Sequence, residues 1–390
     1  MEASQQITGA VRQPVFDPQR GLLGYEVRSE ATPEAERVDQ LAGCHTAFVR
    51  VTRDSLLDAT CEALPSATTV VQLPGTIDSA PEVRDRCADL RRRGFRVALE
   101  DADPQDAHAA LVPYLDFLSA PATRALTVVN RPAATIRSRH VVPVFASAVD
   151  SPEVFDQAAA AGCEGFQGEF ITRPKLSATS NIPAARLTWL RLVQALQDPD
   201  LSVIKLEELM KPDAALCLRV MRAVNGAAYA QTTRITSLRQ ALMLVGTTTI
   251  REWATMWTMA QFSQTSPSEL VVMASVRGRF CELMTRGSIA STGGDGFLLG
   301  MCSLLDAILQ TPIEAILDKL PLCASNDAAL RGEPNGQRAL LDAVIAYEHG
   351  QWEQSRKLAA GAGLDATLLP AAYQGAISWM ARFQELSAAA

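Results

Sequence analysis

Histidine is scarce in this sequence: there are four, at positions 45, 108, 140 and 349, and none is followed by aspartate. This absence excludes the adjacent His-Asp pair on which one class of metal-dependent phosphohydrolase relies. The eight cysteines form no Cys-x-x-Cys pair, which argues against a zinc site or a disulfide framework. Neither Gly-x-Gly-x-x-Gly nor a Walker A sequence occurs, so the familiar phosphate-binding loops are excluded as well.

Long apolar runs are also missing. None approaches the roughly 18 residues of a membrane span, and the N-terminus has no signal-peptide pattern. The net charge of −7 argues against nucleic acid as the main partner, because binding a polyanion requires a basic surface. These features predict a cytoplasmic protein with reduced cysteines and no contact with membrane.

What is present is a chain of 390 residues that is 48% hydrophobic and 20% charged, which suits two folded domains. In the first half, short apolar runs alternate with helical segments. The predicted strands lie at 11–17, 22–27, 47–51, 69–73, 95–99, 115–118, 141–146 and 165–168. This alternation predicts an α/β fold, a TIM-like (β/α) barrel, and leaves open whether the barrel is complete.

The second half reads as helices alone. Ser202 is a predicted helix N-cap, and Ser237 with Gln240 forms a capping box before an apolar stripe. We therefore predict a barrel over residues 1–175, a linker over 176–185, and an all-α bundle with a C-terminal helical extension over 186–390.

Several segments of the first half resemble the ordered landmarks of the EAL domain. They are Arg12-Gln13-Pro14-Val15-Phe16, Gly24-Tyr25-Glu26-Val27, Ala98-Leu99-Glu100-Asp101, Val149-Asp150-Ser151 and Gly162-Cys163-Glu164-Gly165-Phe166-Gln167-Gly168. Active members of that family hydrolyse cyclic di-GMP with divalent cations. The resemblance implies a barrel whose site lies at the carboxyl ends of the strands.

The positions that correspond to the family's site are Glu26, Gln72, Glu100, Asp101, Ser119, Ser147 and Gln167. Three are carboxylates. Gln72 and Ser147 replace expected glutamates, and Ser119 replaces an expected lysine. Because amides and hydroxyls are weak ligands for hard cations, the resemblance implies a degenerate site with no metal, and we expect no cofactor.

Two arginines also depart from the family pattern. Arg28 replaces an apolar residue and Arg50 falls at an expected asparagine. The remaining carboxylates are therefore open to a purely structural interpretation, as solvated groups or as salt bridges to Arg28 or Arg50.

The second half resembles the HDOD domain, an all-helical output or interaction module. The segments that show this resemblance are Met221-Arg222-Ala223-Val224-Asn225-Gly226 and Ile235-Thr236-Ser237-Leu238-Arg239-Gln240. The order of the two domains resembles the bacterial EAL–HDOD proteins of the YuxH-like family.

These resemblances imply, first, a non-catalytic signalling adaptor, not an enzyme, whose HDOD domain contacts a regulatory protein such as a kinase or cyclase. A second hypothesis is a receptor that binds cyclic di-GMP without hydrolysis, through Gln13, Pro14, Arg28, Arg50 and Arg173. A third is an active phosphodiesterase. Nucleic-acid binding is a weaker hypothesis, and a homodimer is left open.

Overall fold

The computed structural model describes residues 9–30, 34–58, 60–101, 108–129, 142–173, 202–211, 214–225, 235–246, 249, 253, 268–286, 295–320 and 322–389. The predicted linker over 176–185 lies outside these residues. The chain divides into two compact units: Met1–Lys175 with Ile345–Gln354, and Leu176–Val344 with Ser355–Ala390.

The first unit contains a closed eight-stranded barrel. Its strands are β1 (Ala10–Phe16), β2 (Leu22–Ser29), β3 (Thr46–Arg50), β4 (Thr69–Leu73), β5 (Arg96–Glu100), β6 (Phe117–Pro121), β7 (Val144–Ser147) and β8 (Gly165–Phe166). The first strand runs antiparallel to β2 and β8, and the other neighbours are parallel. Pairing of Phe16 with Phe166 closes the ring, so the barrel is complete.

Helices connect most of the parallel strands. They are α1 (Ala35–Ala42), α2 (Arg53–Leu57), α3 (Pro81–Arg92), α4 (Ala122–Val129) and α5 (Pro152–Ala161), with 3₁₀ turns at Thr60–Ala63, Val112–Tyr114 and Glu169–Ile171. In α3, Val83, Cys87 and Leu90 are buried at helical spacing, and proline occupies the first position. The chain leaves this helix through Gly94, whose φ of +92° is easy only for glycine.

The middle of the barrel is filled by apolar side chains. Val15, Phe48, Val70 and Ala98 form a buried cluster against which Phe117 and Phe145 pack. The Phe117 and Phe145 rings are 4.7 Å apart between centroids. Because alternate residues of a strand face the same side, the residues two positions nearer the carboxyl end of each parallel strand lie above this cluster.

The second unit is helical wherever it is described. The helices after the barrel are α6 (Val203–Met210), α7 (Ala214–Asn225), α8 (Leu238–Val245), α9 (Ser268–Thr285), α10 (Gly296–Cys302), α11 (Leu305–Leu309), α12 (Ile313–Leu317), α13 (Ala324–Leu330), α14 (Gly336–Glu348), α15 (Trp352–Gly361) and α16 (Leu369–Ala389), with a 3₁₀ turn at Ala366–Leu368. The end of α14 and the start of α15 fall within Ile345–Gln354, which is grouped with the first unit. Both predicted caps are confirmed: Ser202 accepts a hydrogen bond from the Lys205 amide and Ser237 from the Gln240 amide.

Helices α9 and α10 approach each other closely. A Cβ atom on Gly300 would lie 2.4 Å from the Arg277 carbonyl oxygen, so glycine is required there for the helices to meet. Among the described residues, no helix is both long enough and apolar enough to cross a bilayer.

Candidate functional site

Seven strands of the barrel, and the residue that directly follows β8, each place a polar or charged residue at the same end. We call these residues the polar ring: Gln13, Glu26, Arg50, Gln72, Glu100, Ser119, Ser147 and Gln167. The ring lies at the carboxyl ends of the parallel strands, above the apolar cluster. Because β1 runs in the opposite direction, its residue Gln13 pairs with Glu26 and reaches the same level.

Glu26 is held from two sides. Its carboxylate is buried, with the residue 5% exposed. The Nε and Nη2 atoms of Arg28 both lie 2.9 Å from Glu26 Oε2. The Gln167 amide donates to the same carboxylate and, at 3.2 Å, to the Gln13 side-chain oxygen. Closure of the barrel therefore joins β1, β2 and the end of β8 through one carboxylate.

Glu100 is paired with a different arginine, Arg50. Arg50 Nη2 forms an ion pair with Glu100 Oε2; the Glu100 side chain is 13% exposed and that of Arg50 61%. Burial raises the pKa of the Glu100 carboxyl, and the Arg50 guanidinium opposes this rise. The negative charge of Glu26 raises the Glu100 pKa further, because the two carboxylates repel each other electrostatically.

Of the two structural interpretations, solvated groups or salt bridges, the structure shows salt bridges for Glu26 with Arg28 and for Glu100 with Arg50. Asp101 behaves differently. Its φ of +50° turns it into the left-handed region, and its carboxylate is 56% exposed. Arg124 of α4 lies 3.7 Å from Asp101 Oδ1 and donates to the Asp101 carbonyl oxygen at 3.3 Å. The structure therefore turns Asp101 toward α4, a partner that nothing in the sequence pattern indicated.

Gln72 lies next to Arg50 across the β3–β4 pair and is 6% exposed. Its side-chain oxygen is buried and has no hydrogen-bond partner among the described residues. A buried acceptor with no donor costs about 1–3 kcal/mol. A ligand that supplies a donor or a cation at this point would recover that cost.

The remaining predicted residues are only partly brought together. Ser119 pairs with Glu100 in register, and Ser147 pairs with Pro121. Pro14 lies between Gln13 and Val15, so strand alternation directs it away from the ring. Arg173 is exposed after the Glu169–Ile171 turn and pairs with Glu169; no contact with a ring carboxylate is seen among the described residues.

The pair of divalent cations that the EAL resemblance implies does not fit this donor set. Both ring carboxylates are engaged by guanidinium groups, and among the described residues no group of three or more His, Cys, Asp or Glu side chains could hold a metal ion. A divalent cation about 4 Å from a guanidinium meets a repulsion of about 8 kcal/mol at an effective dielectric constant of about 20. That repulsion cancels the attraction of one carboxylate at the same distance.

Comparison with known proteins defines the class of the chain. The HDOD domain matches residues 182–281. Cyclic di-GMP phosphodiesterase CdgJ of Vibrio cholerae is 27% identical over 380 residues, which cover 90% of this chain and 87% of CdgJ. YuxH of Bacillus subtilis, described as uncharacterized, is 23% identical over 397 residues, covering 94% of this chain and 97% of YuxH.

A crystal structure of an EAL domain protein from Listeria monocytogenes covers 44% of this chain and 93% of its own, with a TM-score of 0.33 and 14% identity. The chain combines a closed eight-stranded β/α barrel with a helical region, part of which matches the HDOD domain. It resembles CdgJ and YuxH over nine-tenths or more of its length.

The expectation that the protein is not an enzyme was wrong. It is overturned by CdgJ, a relative that matches nine-tenths of the chain and is named a cyclic di-GMP phosphodiesterase. The expectation rested on counting metal ligands position by position. Guanidinium and amide groups also orient and neutralise phosphates, so such a count does not decide whether a barrel of this kind is active.

Proposed function

We propose that the polar ring binds cyclic di-GMP and that the protein acts in cyclic di-GMP signalling. The observation that carries this proposal is the pair of arginines at the barrel mouth. The side chains of Arg28 and Arg50 are 44% and 61% exposed, and only some of the N–H donors of each guanidinium contact a carboxylate. Their free N–H groups suit the two phosphodiesters of a cyclic dinucleotide, since guanidinium binds phosphate oxygens in a bidentate manner.

The buried acceptors of the ring add a second element of recognition. The Glu26 and Glu100 carboxylates and the unpartnered Gln72 oxygen present acceptors to the N–H donors of guanine. The relationship to CdgJ supports the same ligand.

Isothermal titration calorimetry of the full chain with cyclic di-GMP tests the proposal. We expect saturable binding that Arg28→Ala and Arg50→Ala each weaken about tenfold or more, the loss expected for a charge-assisted hydrogen bond. The matched control is Arg92→Ala, which removes an exposed arginine paired with Asp89 on α3. Absence of heat with wild-type protein at high ligand concentration, or equal weakening by all three changes, would refute it.

Phosphodiesterase activity is the second candidate function, favoured by the similarity to CdgJ and by the two carboxylates kept in the ring. Hydrolysis would add water across one phosphodiester bond and release the linear dinucleotide. The assay is chromatography of cyclic di-GMP incubated with the full chain, in manganese, in magnesium and in chelator. We expect turnover that Glu26→Gln and Glu100→Gln abolish; turnover unchanged in both variants would assign the activity elsewhere.

For the helical unit we propose contact with a regulatory protein. Ile204, Leu218 and Met243, on α6, α7 and α8, are 58%, 51% and 72% exposed, an unusual exposure for large apolar side chains. Chemical cross-linking of a candidate kinase or cyclase to the wild-type chain, and to Leu218→Glu and Met243→Glu, tests this. We expect both variants to lose a cross-link that the wild type forms, and unchanged cross-linking would place the contact elsewhere.

A further inference from the structure

When Arg28 is counted with the polar ring, the charges at the barrel mouth balance without any added ion. Glu26 and Glu100 carry two negative charges, and Arg28 and Arg50 carry two positive ones. The other ring residues, Gln13, Gln72, Ser119, Ser147 and Gln167, are neutral. The nearby Asp101 is engaged by Arg124 outside the ring. The ring together with Arg28 therefore has no net negative charge to attract a divalent cation.

We propose that the guanidinium groups of Arg28 and Arg50 are the resident cations of this barrel: they exclude divalent metal ions from the ring and take over the neutralisation of ligand phosphates. Exclusion of metal depends on the ring alone. Metal-independent binding of the dinucleotide rests, in addition, on the proposed function.

Geometry supports this assignment at both carboxylates. Two nitrogen atoms of Arg28 lie 2.9 Å from one oxygen of Glu26, so a metal ion bound to that oxygen would compete with the guanidinium. At Glu100 one nitrogen of Arg50, Nη2, forms the ion pair with Oε2. Each guanidinium has five N–H donors, so donors remain on the solvent-exposed side for a phosphate.

The same geometry predicts what removal of the arginines would create. Gln72 already places an unpartnered side-chain oxygen beside Arg50, close to Glu100 along the sheet. Replacing Arg50 by asparagine would add an amide oxygen and free the Glu100 carboxylate. Carboxylate and amide oxygens are the ligands that Mn²⁺ and Mg²⁺ take in proteins.

The first arm of the test is calorimetric titration of Mn²⁺ alone into the full chain, without nucleotide. We expect no saturable Mn²⁺ binding by wild-type protein. The double variant Arg28→Leu/Arg50→Asn should bind Mn²⁺ saturably, with an affinity at least about tenfold above the limit set by the wild-type titration. The control Arg92→Leu/Arg382→Asn changes the net charge equally through two exposed arginines and should behave as wild type. Saturable Mn²⁺ binding by the wild type that Glu100→Gln abolishes would overturn the proposal, as would a double variant that folds and gains nothing.

If the double variant fails to fold, as judged by circular dichroism, Arg50→Lys replaces it. Lysine keeps the positive charge, so this variant should still exclude Mn²⁺, and saturable Mn²⁺ binding by it would count against a role of the charge.

The second arm measures cyclic di-GMP binding by wild-type protein in EDTA and in Mn²⁺. Equal affinity is expected, and loss of binding in EDTA would contradict the proposal. The two arms separate the two ideas. A wild type that binds neither ligand refutes the proposed nucleotide site and leaves metal exclusion by the arginines standing.

Discussion

Removing Arg50 is the most direct test of how the barrel mouth is stabilised. In Arg50→Ala, the Glu100 carboxylate loses its ion pair while it stays largely buried and within the field of Glu26. A buried carboxylate without a partner destabilises the folded state, because it has lost water without gaining a cation.

The magnitude lies between two limits. Exposed ion pairs contribute about 0.2–1 kcal/mol, whereas breaking a buried pair costs about 3–5 kcal/mol. Glu100 is 13% exposed but Arg50 is 61% exposed, so water screens the pair from one side. We therefore expect Arg50→Ala to lower the free energy of unfolding by about 1–2 kcal/mol at pH 7.

The loss of unfolding free energy in Arg50→Ala should depend on pH. The pKa of Glu100 is raised above its ordinary value of 4.5, so the folded state holds a proton that the unfolded state releases. Stability from this group therefore falls as pH rises from 4.5 through the raised pKa, and removal of Arg50 extends that fall. Below pH 4.5 the carboxyl is protonated in both states, and the difference between variant and wild type should disappear.

The assay must report on the barrel. Of the five tryptophans, at positions 189, 253, 257, 352 and 379, only Trp352 belongs to the barrel unit, where it lies beside Gly9, so total tryptophan fluorescence is a poor probe of the barrel. We suggest urea unfolding followed by circular dichroism at pH 7 and pH 4, with hydrogen exchange of peptides from β3 to β5. Arg50→Ala/Glu100→Gln is the matched control and should recover most of the loss. Equal stability of Arg50→Ala and wild type at pH 7, or a loss that is the same at both pH values, would refute the reasoning.

Three further changes test other parts of the structure. Gln72→Leu removes the buried unpartnered oxygen at similar volume, and thermal unfolding should show unchanged or increased stability, by up to about 1 kcal/mol; a clear loss would reveal a hidden partner. Asp101→Gly relieves a left-handed φ and should be more stable than Asp101→Ala by about 1 kcal/mol in urea unfolding, whereas the reverse order would contradict the backbone argument. Ser237→Ala removes the cap on the Gln240 amide and should cost about 1 kcal/mol, measured by exchange of the α8 amides; unchanged protection would show that the cap is not needed.

The sequence by itself determined most of the local structure. Alternation of apolar runs and helical segments predicted all eight strands, and for β4 it predicted both ends. The capping signals at Ser202 and Ser237 predicted two helix starts, both confirmed. These features are readable because strand periodicity and helix capping depend on residues a few positions apart. The polar residues at the strand ends were named from the resemblance to the EAL domain.

Only the tertiary structure decided how those residues pair. Gln167 reaches Glu26 across 141 positions of sequence because the barrel closes between β1 and β8, and no local pattern indicates that contact. The turn of Asp101 toward Arg124 and the lone oxygen of Gln72 likewise depend on backbone angles and on neighbouring strands. Charge pairing at a barrel mouth is a property of the closed ring, since closure sets which side chains share one space and how much water remains there to screen them.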